Sequence, residues 1–142
     1  MKIKIYVPAV IVISLLVLSV YSCGDDAEGV VGPAMPERHE LACMLVDDVW
    51  KIVDAQDTTE TEIFVARGDT VVWQAPDNRD IYFQFMDEEL TGVFTQEVLQ
   101  GETLTLIVGN EAETGDHPYA VFVHEARVYA AGDSPPRMIV RE

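Results

Sequence analysis

Ile63-Phe64-Val65-Ala66-Arg67-Gly68-Asp69-Thr70-Val71-Val72-Trp73 reads as strand, turn and strand. β-branched and aromatic residues stand on both sides of a glycine-centred break at Arg67-Gly68-Asp69, which predicts a β-hairpin. The same alternation of short apolar runs with turn residues continues on either side. It predicts further strands at Val49 to Val53, Ile81 to Phe85, Thr103 to Val108, Tyr119 to His124, Arg127 to Ala130 and Arg137 to Arg141. Period-two patterning places Ile81, Phe83 and Phe85 on one face, and sets Leu104 and Leu106 inward against Thr103 and Thr105. Tyr119, Val121 and Val123 share one face of their strand while Phe122 and His124 share the other, as expected of a central strand with both faces covered. Met86 to Gly101 is less regular and has room for a single helical turn. The reading is an all-β chain, an antiparallel Greek-key β-sandwich, in one domain spanning residues 43–142.

The whole chain has 142 residues, with 9 Lys and Arg against 25 Asp and Glu and a formal charge of −16. Two of the lysines, and none of the acids, fall in the first 22 residues, so the remainder carries 7 basic against 25 acidic groups, a net of −18. Such a surface repels nucleic acid and anionic headgroups. No nucleic-acid partner is expected.

Residues 1–22 read as a secretory signal: Lys2 and Lys4 precede an apolar run from Val7 through Val20 that is too short to span a bilayer. Val20-Tyr21-Ser22-Cys23 resembles the lipobox of bacterial lipoproteins, with an aliphatic, a variable and a small residue before the cysteine that takes the lipid. The resemblance implies lipidation of Cys23 by palmitate-type acyl chains and a membrane partner held through that lipid, against the alternative of an ordinary cleaved signal. Gly24-Asp25-Asp26-Ala27-Glu28 is similar to the acidic sorting signals of surface lipoproteins in Bacteroidota, and reads equally as a solvated spacer. Residues 23–42, with Gly24, Gly29, Gly32, Pro33 and Pro36, have no apolar periodicity and are expected to be a flexible tether. The expected address is the bacterial cell envelope, on the outer membrane or the cell surface.

The segment quoted first resembles the strand, glycine turn, strand and tryptophan of the cupredoxins, the fold of plastocyanin and azurin. Tyr119-Ala120-Val121-Phe122-Val123 is similar to the strand that delivers their copper cysteine, and Gly132 to Val140 suits their last strand. The resemblance implies a cupredoxin-like β-sandwich. A blue-copper site needs a thiolate, two imidazoles and a weak axial ligand. Gln74 to Ile81 contains no histidine where the family carries one, Val123 stands where its cysteine would be, and no Cys-x-x-His-x-x-Met run follows. The expectation is a domain without copper or any other cofactor. Its alternative is a copper-binding or electron-transfer periplasmic protein with a non-standard site, for which His117 and His124, with Met138 or a carboxylate, are the candidate metal ligands. His117 lies in a turn-like run, Thr114-Gly115-Asp116-His117-Pro118, and His124 at a strand end, so both are expected at the surface; His39 is expected to be idle in the tether.

Other chemistries lack their ingredients. After Cys23 the only serine is Ser134, next to Pro135-Pro136, with no nucleophile-elbow motif around it. Cys43 is followed by Asp47 and Asp48, which would raise its pKa, so a core thiol or an intermolecular disulfide is expected before a nucleophile. With 25 acids, chance pairs of carboxylates are uninformative. Asp87-Glu88-Glu89 and Asn110 to Asp116 have oxygen ligands for calcium without its loop spacing, and read mainly as solvated surface. No catalytic residue and no enzyme activity is expected. Trp50, Trp73, Tyr82, Tyr119 and Tyr129 would stack on a glycan or a protein partner if several were exposed on one face, although Trp73 fits the core. The loops Ala75 to Asp80, Met86 to Gly101 and Asn110 to Pro118 are the expected contact segments at one end of the sandwich. A binding or interaction domain with a protein or glycan partner is the function that remains.

Overall fold

Alternating burial along short β-branched and aromatic runs produces strands throughout. The structure is a computed structural model and describes residues 35–132 and 135–142. In chain order the elements are β1 (Arg38–Val46), β2 (Val49–Asp54), β3 (Glu62–Ala66), β4 (Thr70–Gln74), β5 (Ile81–Phe85), α1 (Glu88–Thr91), β6 (Thr95–Val98), β7 (Thr103–Ile107), β8 (Gly115–Val123), β9 (Val128–Tyr129) and β10 (Arg137–Arg141). One sheet has the order β2-β1-β4-β7. The other runs β3-β10-β8-β5-β6, with β9 against β8. The chain is thus the all-β sandwich that its patterning predicts, with β8 at the centre of the larger sheet.

The sheets are mixed rather than wholly antiparallel, because β1 pairs β4 and β3 pairs β10 in parallel. That departure has the same cause as the failure of the predicted hairpin. β3 and β4 do not pair; they belong to different sheets, and Arg67-Gly68-Asp69 is a corner between them. Gly68 takes φ 89°, a left-handed conformation open to glycine at little cost. The Asp69 carboxylate then accepts from Ala66 N at 2.7 Å and from Glu37 N at 2.8 Å, while His39 Nε2 lies 3.0 Å away. These contacts draw the segment before β1 onto the corner, so β1 runs beside β4 in the same direction. Arg38 to Ala42, assigned to the tether by composition, are therefore strand residues, with Leu41 and Ala42 buried.

The inward faces meet in a ring cluster. Trp73 packs edge-on to Phe83, Phe85 and Tyr119 with centroids 5.5, 5.9 and 6.0 Å apart, and its indole N–H donates to the Tyr119 hydroxyl at 3.2 Å. Indole and phenol are thus buried with their polar atoms paired, which removes the main penalty of placing them in a core. Ile52, Ile81, Val121 and Met138 fill the remaining space.

Most of the connections gather at two opposite ends. At the entry end, where the described chain begins, lie Glu37, the corner at Arg67 to Asp69, the segment around α1, and Val108 to Thr114; Thr70 N donates to Glu37 O, Gly68 N to Val108 O and Gly109 N to Leu90 O. At the far end lie the Asp47-Asp48 turn, Ala75 to Asp80, Leu99 to Glu102 and His124 to Arg127; Gly101 N donates to Pro76 O and His124 N to Asp80 O. The three predicted contact loops are consequently divided between the ends, since β5 carries the chain from Asp80 at one end to Met86 at the other. Met86 to Gly101 is not one loop either, because it contains α1 and β6.

Candidate functional site

The residues named as metal ligands are not brought together. His117 and His124 belong to opposite ends of β8 and point to opposite faces; the six steps from His117 to Val123 alone span about 20 Å of extended chain. His117 is not a surface residue. Gly115 to Pro118 form the first part of β8 rather than a turn, and His117 is 8% exposed on the inward side. Its Nε2–H donates to the Glu113 carbonyl at 2.7 Å and its Nδ1 lies 3.0 Å from Asp87 Oδ2, so both ring nitrogens are engaged. Register does set it opposite Met138, which is fully buried. His124 is exposed, with Nε2 3.8 Å from Glu97 Oε1 and its ring edge-on to Phe122.

Cys43 lies on β1, in the other sheet, buried as expected of a core thiol. Burial, rather than Asp47 and Asp48, pushes its thiol up to about 12. A protonated thiol in one sheet and two divided imidazoles in the other do not fit a copper centre. Among the described residues no group of three or more His, Cys, Asp or Glu side chains is arranged to hold a metal ion. Of the acidic runs, Asp87 is already spent: Oδ1 caps α1 by accepting from Glu89 N at 2.9 Å, while Oδ2 meets His117.

His39 is not idle, but its work is structural. Burial alone would push the Asp69 carboxyl up, yet hydrogen bonds from Ala66 N, Glu37 N and His39 outweigh it and hold the group below the ordinary aspartate value. The cluster fastens the first strand to the corner at the entry end.

The five aromatic candidates separate cleanly. Trp73 and Tyr119 are core. Tyr82 is 37% and Tyr129 65% exposed, and the sheet register aligns Tyr82, Phe122 and Tyr129 in one outward row across β5, β8 and β9. Phe122 and Tyr129 pack edge-on with centroids 5.2 Å apart. At the far end the row runs into a depression of about 430 Å³ lined by Asp48, Val49, Trp50, Ala126, Val128 and Tyr129. Its two walls, β2 and the β9 segment, are far apart in sequence and joined by backbone: Ala131 N donates to Trp50 O at 2.7 Å, and Ile52 N to Ala131 O at 3.1 Å. Val49 and Val128 are both substantially exposed there. Asp48, Phe122 and the three aliphatic lining residues Val49, Ala126 and Val128 are the members that sequence reasoning missed. Asp47-Asp48 between Val46 and Val49 is a two-residue hairpin connection, a signal that was present in the sequence.

No protein-family model matches the chain, and no curated protein matches it. Among solved structures it is similar to cupredoxins. One is a Cu(I) form of an amicyanin mutant, 13% identical, covering 77% of this chain and 87% of that one with a TM-score of 0.44. Another is a reduced amicyanin mutant at 12% identity, 72% and 80% coverage and a TM-score of 0.44. A third is a purple cupredoxin from Nitrosopumilus maritimus at 13% identity, 72% and 99% coverage and a TM-score of 0.43. At these identities and scores neither copper nor electron transfer passes to this chain. Residues 1–22, Cys23 and Gly24 to Glu28, on which the lipoprotein reading rests, lie outside the described residues.

Proposed function

We propose that the protein is a lipid-anchored lipoprotein of a bacterial cell envelope whose β-sandwich is a metal-free binding module, not an enzyme. The observation that carries the binding role is the far-end depression, where Trp50 and Tyr129 share one concave surface with exposed Val49 and Val128. Trp50 and Ala126 rest their inner sides on the core, while Val49, Val128 and Tyr129 stand exposed around them, and apolar groups gathered in a concavity are what a partner site requires. Val20-Tyr21-Ser22-Cys23 supports the anchor. The described chain enters the sandwich at the end opposite the depression.

Two measurements on the full chain test the two halves of this reading. Cells grown with labelled palmitate are expected to label the wild-type chain and not Cys23→Ala, which is expected to leave the membrane fraction; equal labelling of both removes the anchor. The purified chain is expected to take up no stoichiometric copper. An intense visible band at one copper per chain, abolished by His117→Ala, contradicts the metal-free module.

A further inference from the structure

The far-end depression restricts the chemistry of its ligand. Its lining contains two aromatic residues, three aliphatic residues and a single charged residue, Asp48; no basic residue contributes. Aromatic faces present negative potential, and a cation seated on them is held more tightly when a carboxylate stands at the rim. The site is prepared before any ligand arrives. The hydrogen bonds that Ala131 makes with Trp50 and Ile52 fix the two walls, and Tyr129 is braced by Phe122. A net of −18 beyond residue 22 draws cations toward the whole domain.

Asp48 itself breaks a local rule. Asp47 and Asp48 take φ 51° and 62°, two consecutive left-handed residues in a two-residue connection between β1 and β2. Glycine at the second of these positions is the unstrained choice. Aspartate there costs the turn stability and brings a carboxylate to the depression, the kind of local conflict that marks functional positions.

We propose that this depression binds an organic cation, an alkylammonium or guanidinium head group seated against Trp50 and Tyr129 and neutralised by Asp48. The inference deepens the binding-module reading and rests on it. The head group belongs either to a free small molecule or to a basic side chain of a partner protein. Choline, its uncharged carbon isostere dimethylbutanol, and a short peptide carrying trimethyl-lysine separate the cases when titrated into the full chain with tryptophan emission as the signal.

Choline is expected to shift the emission saturably and to bind about tenfold more tightly than the isostere. Asp48→Gly is expected to lose about tenfold in choline affinity while melting no lower than wild type, and Tyr129→Leu to lose a similar factor. A peptide binding more than tenfold tighter than choline assigns the head group to a protein partner, and the reverse assigns it to a free cation. Equal binding of choline and the isostere overturns the cation assignment while leaving a binding module in place. No saturable change with choline or the peptide, or an Asp48→Gly variant with unaltered choline affinity, overturns the site.

Discussion

Asp69 and Gly109 show how single residues fix the entry end. Asp69 is the acceptor for two backbone amides and pairs with His39. An amide in its place keeps one acceptor oxygen and loses the charge, so Asp69→Asn is expected to lower stability by about 1–3 kcal/mol, measured by denaturant unfolding. Because the folded-state pKa of Asp69 is depressed, its contribution is complete above the ordinary aspartate value and disappears as pH falls through the lower, folded value. The wild type is therefore expected to lose stability more steeply than Asp69→Asn below about pH 4. Gly109 has no room for a side chain, since an added Cβ would lie 2.0 Å from the Glu89 carbonyl oxygen. Its N–H also donates to Leu90 O at 2.7 Å, so the two backbones are locked together. Gly109→Ala is expected to cost about 1–3 kcal/mol by overpacking, read as a lowered melting temperature.

At the scale of elements, the turn between β1 and β2 gives the complementary prediction. Asp48→Gly removes a strained left-handed residue, and Asp47→Asn places the better residue before it; together they are expected to stabilise the fold by about 0.5–1 kcal/mol in thermal unfolding. What the sequence made legible is clearest in β5, where Ile81, Phe83 and Phe85 are buried and Tyr82 and Gln84 exposed as alternation requires. β4 is the opposite case. Val71, Val72 and Trp73 are all buried, and a continuous apolar run carries no information about which strand lies alongside. A three-residue break with glycine looks the same whether the chain reverses within one sheet or turns a corner into the next, and only the long-range contacts of Asp69 distinguish them. The beginning of β8 was hidden for a related reason: Gly115, Asp116 and Pro118 are turn formers by composition, yet β10 pairs with all three. His117 could be buried there because Asp87, thirty residues earlier beside α1, and the nearby Glu113 carbonyl receive its nitrogens. The depression was half legible: Trp50 and Tyr129 were named as aromatic candidates, but their meeting depends on a backbone bridge between Lys51 and Ala131 that no local signal announces.

Charge dominates the molecule as a whole. Residues 35–142 carry 7 basic and 22 acidic groups, so the domain repels itself, and the acids around α1 and in Asn110 to Asp116 add to that repulsion at the entry end. Screening by salt is therefore expected to raise the melting temperature between about 10 mM and 500 mM NaCl, because the Debye length falls from about 30 Å to a few ångströms. The same salt is expected to weaken binding of a cation beside Asp48, so stability and affinity move in opposite directions. The two tryptophans allow the central claim, that ligand is received at the far-end depression, to be read directly. In a ¹⁵N-labelled full chain, addition of choline is expected to move the Trp50 indole signal and the amides of Val49 and Ala126 to Ala130, while the indole of Trp73, bonded to Tyr119 in the core, stays still. A stationary Trp50 signal, or changes centred on His117 and the entry end, would contradict the account.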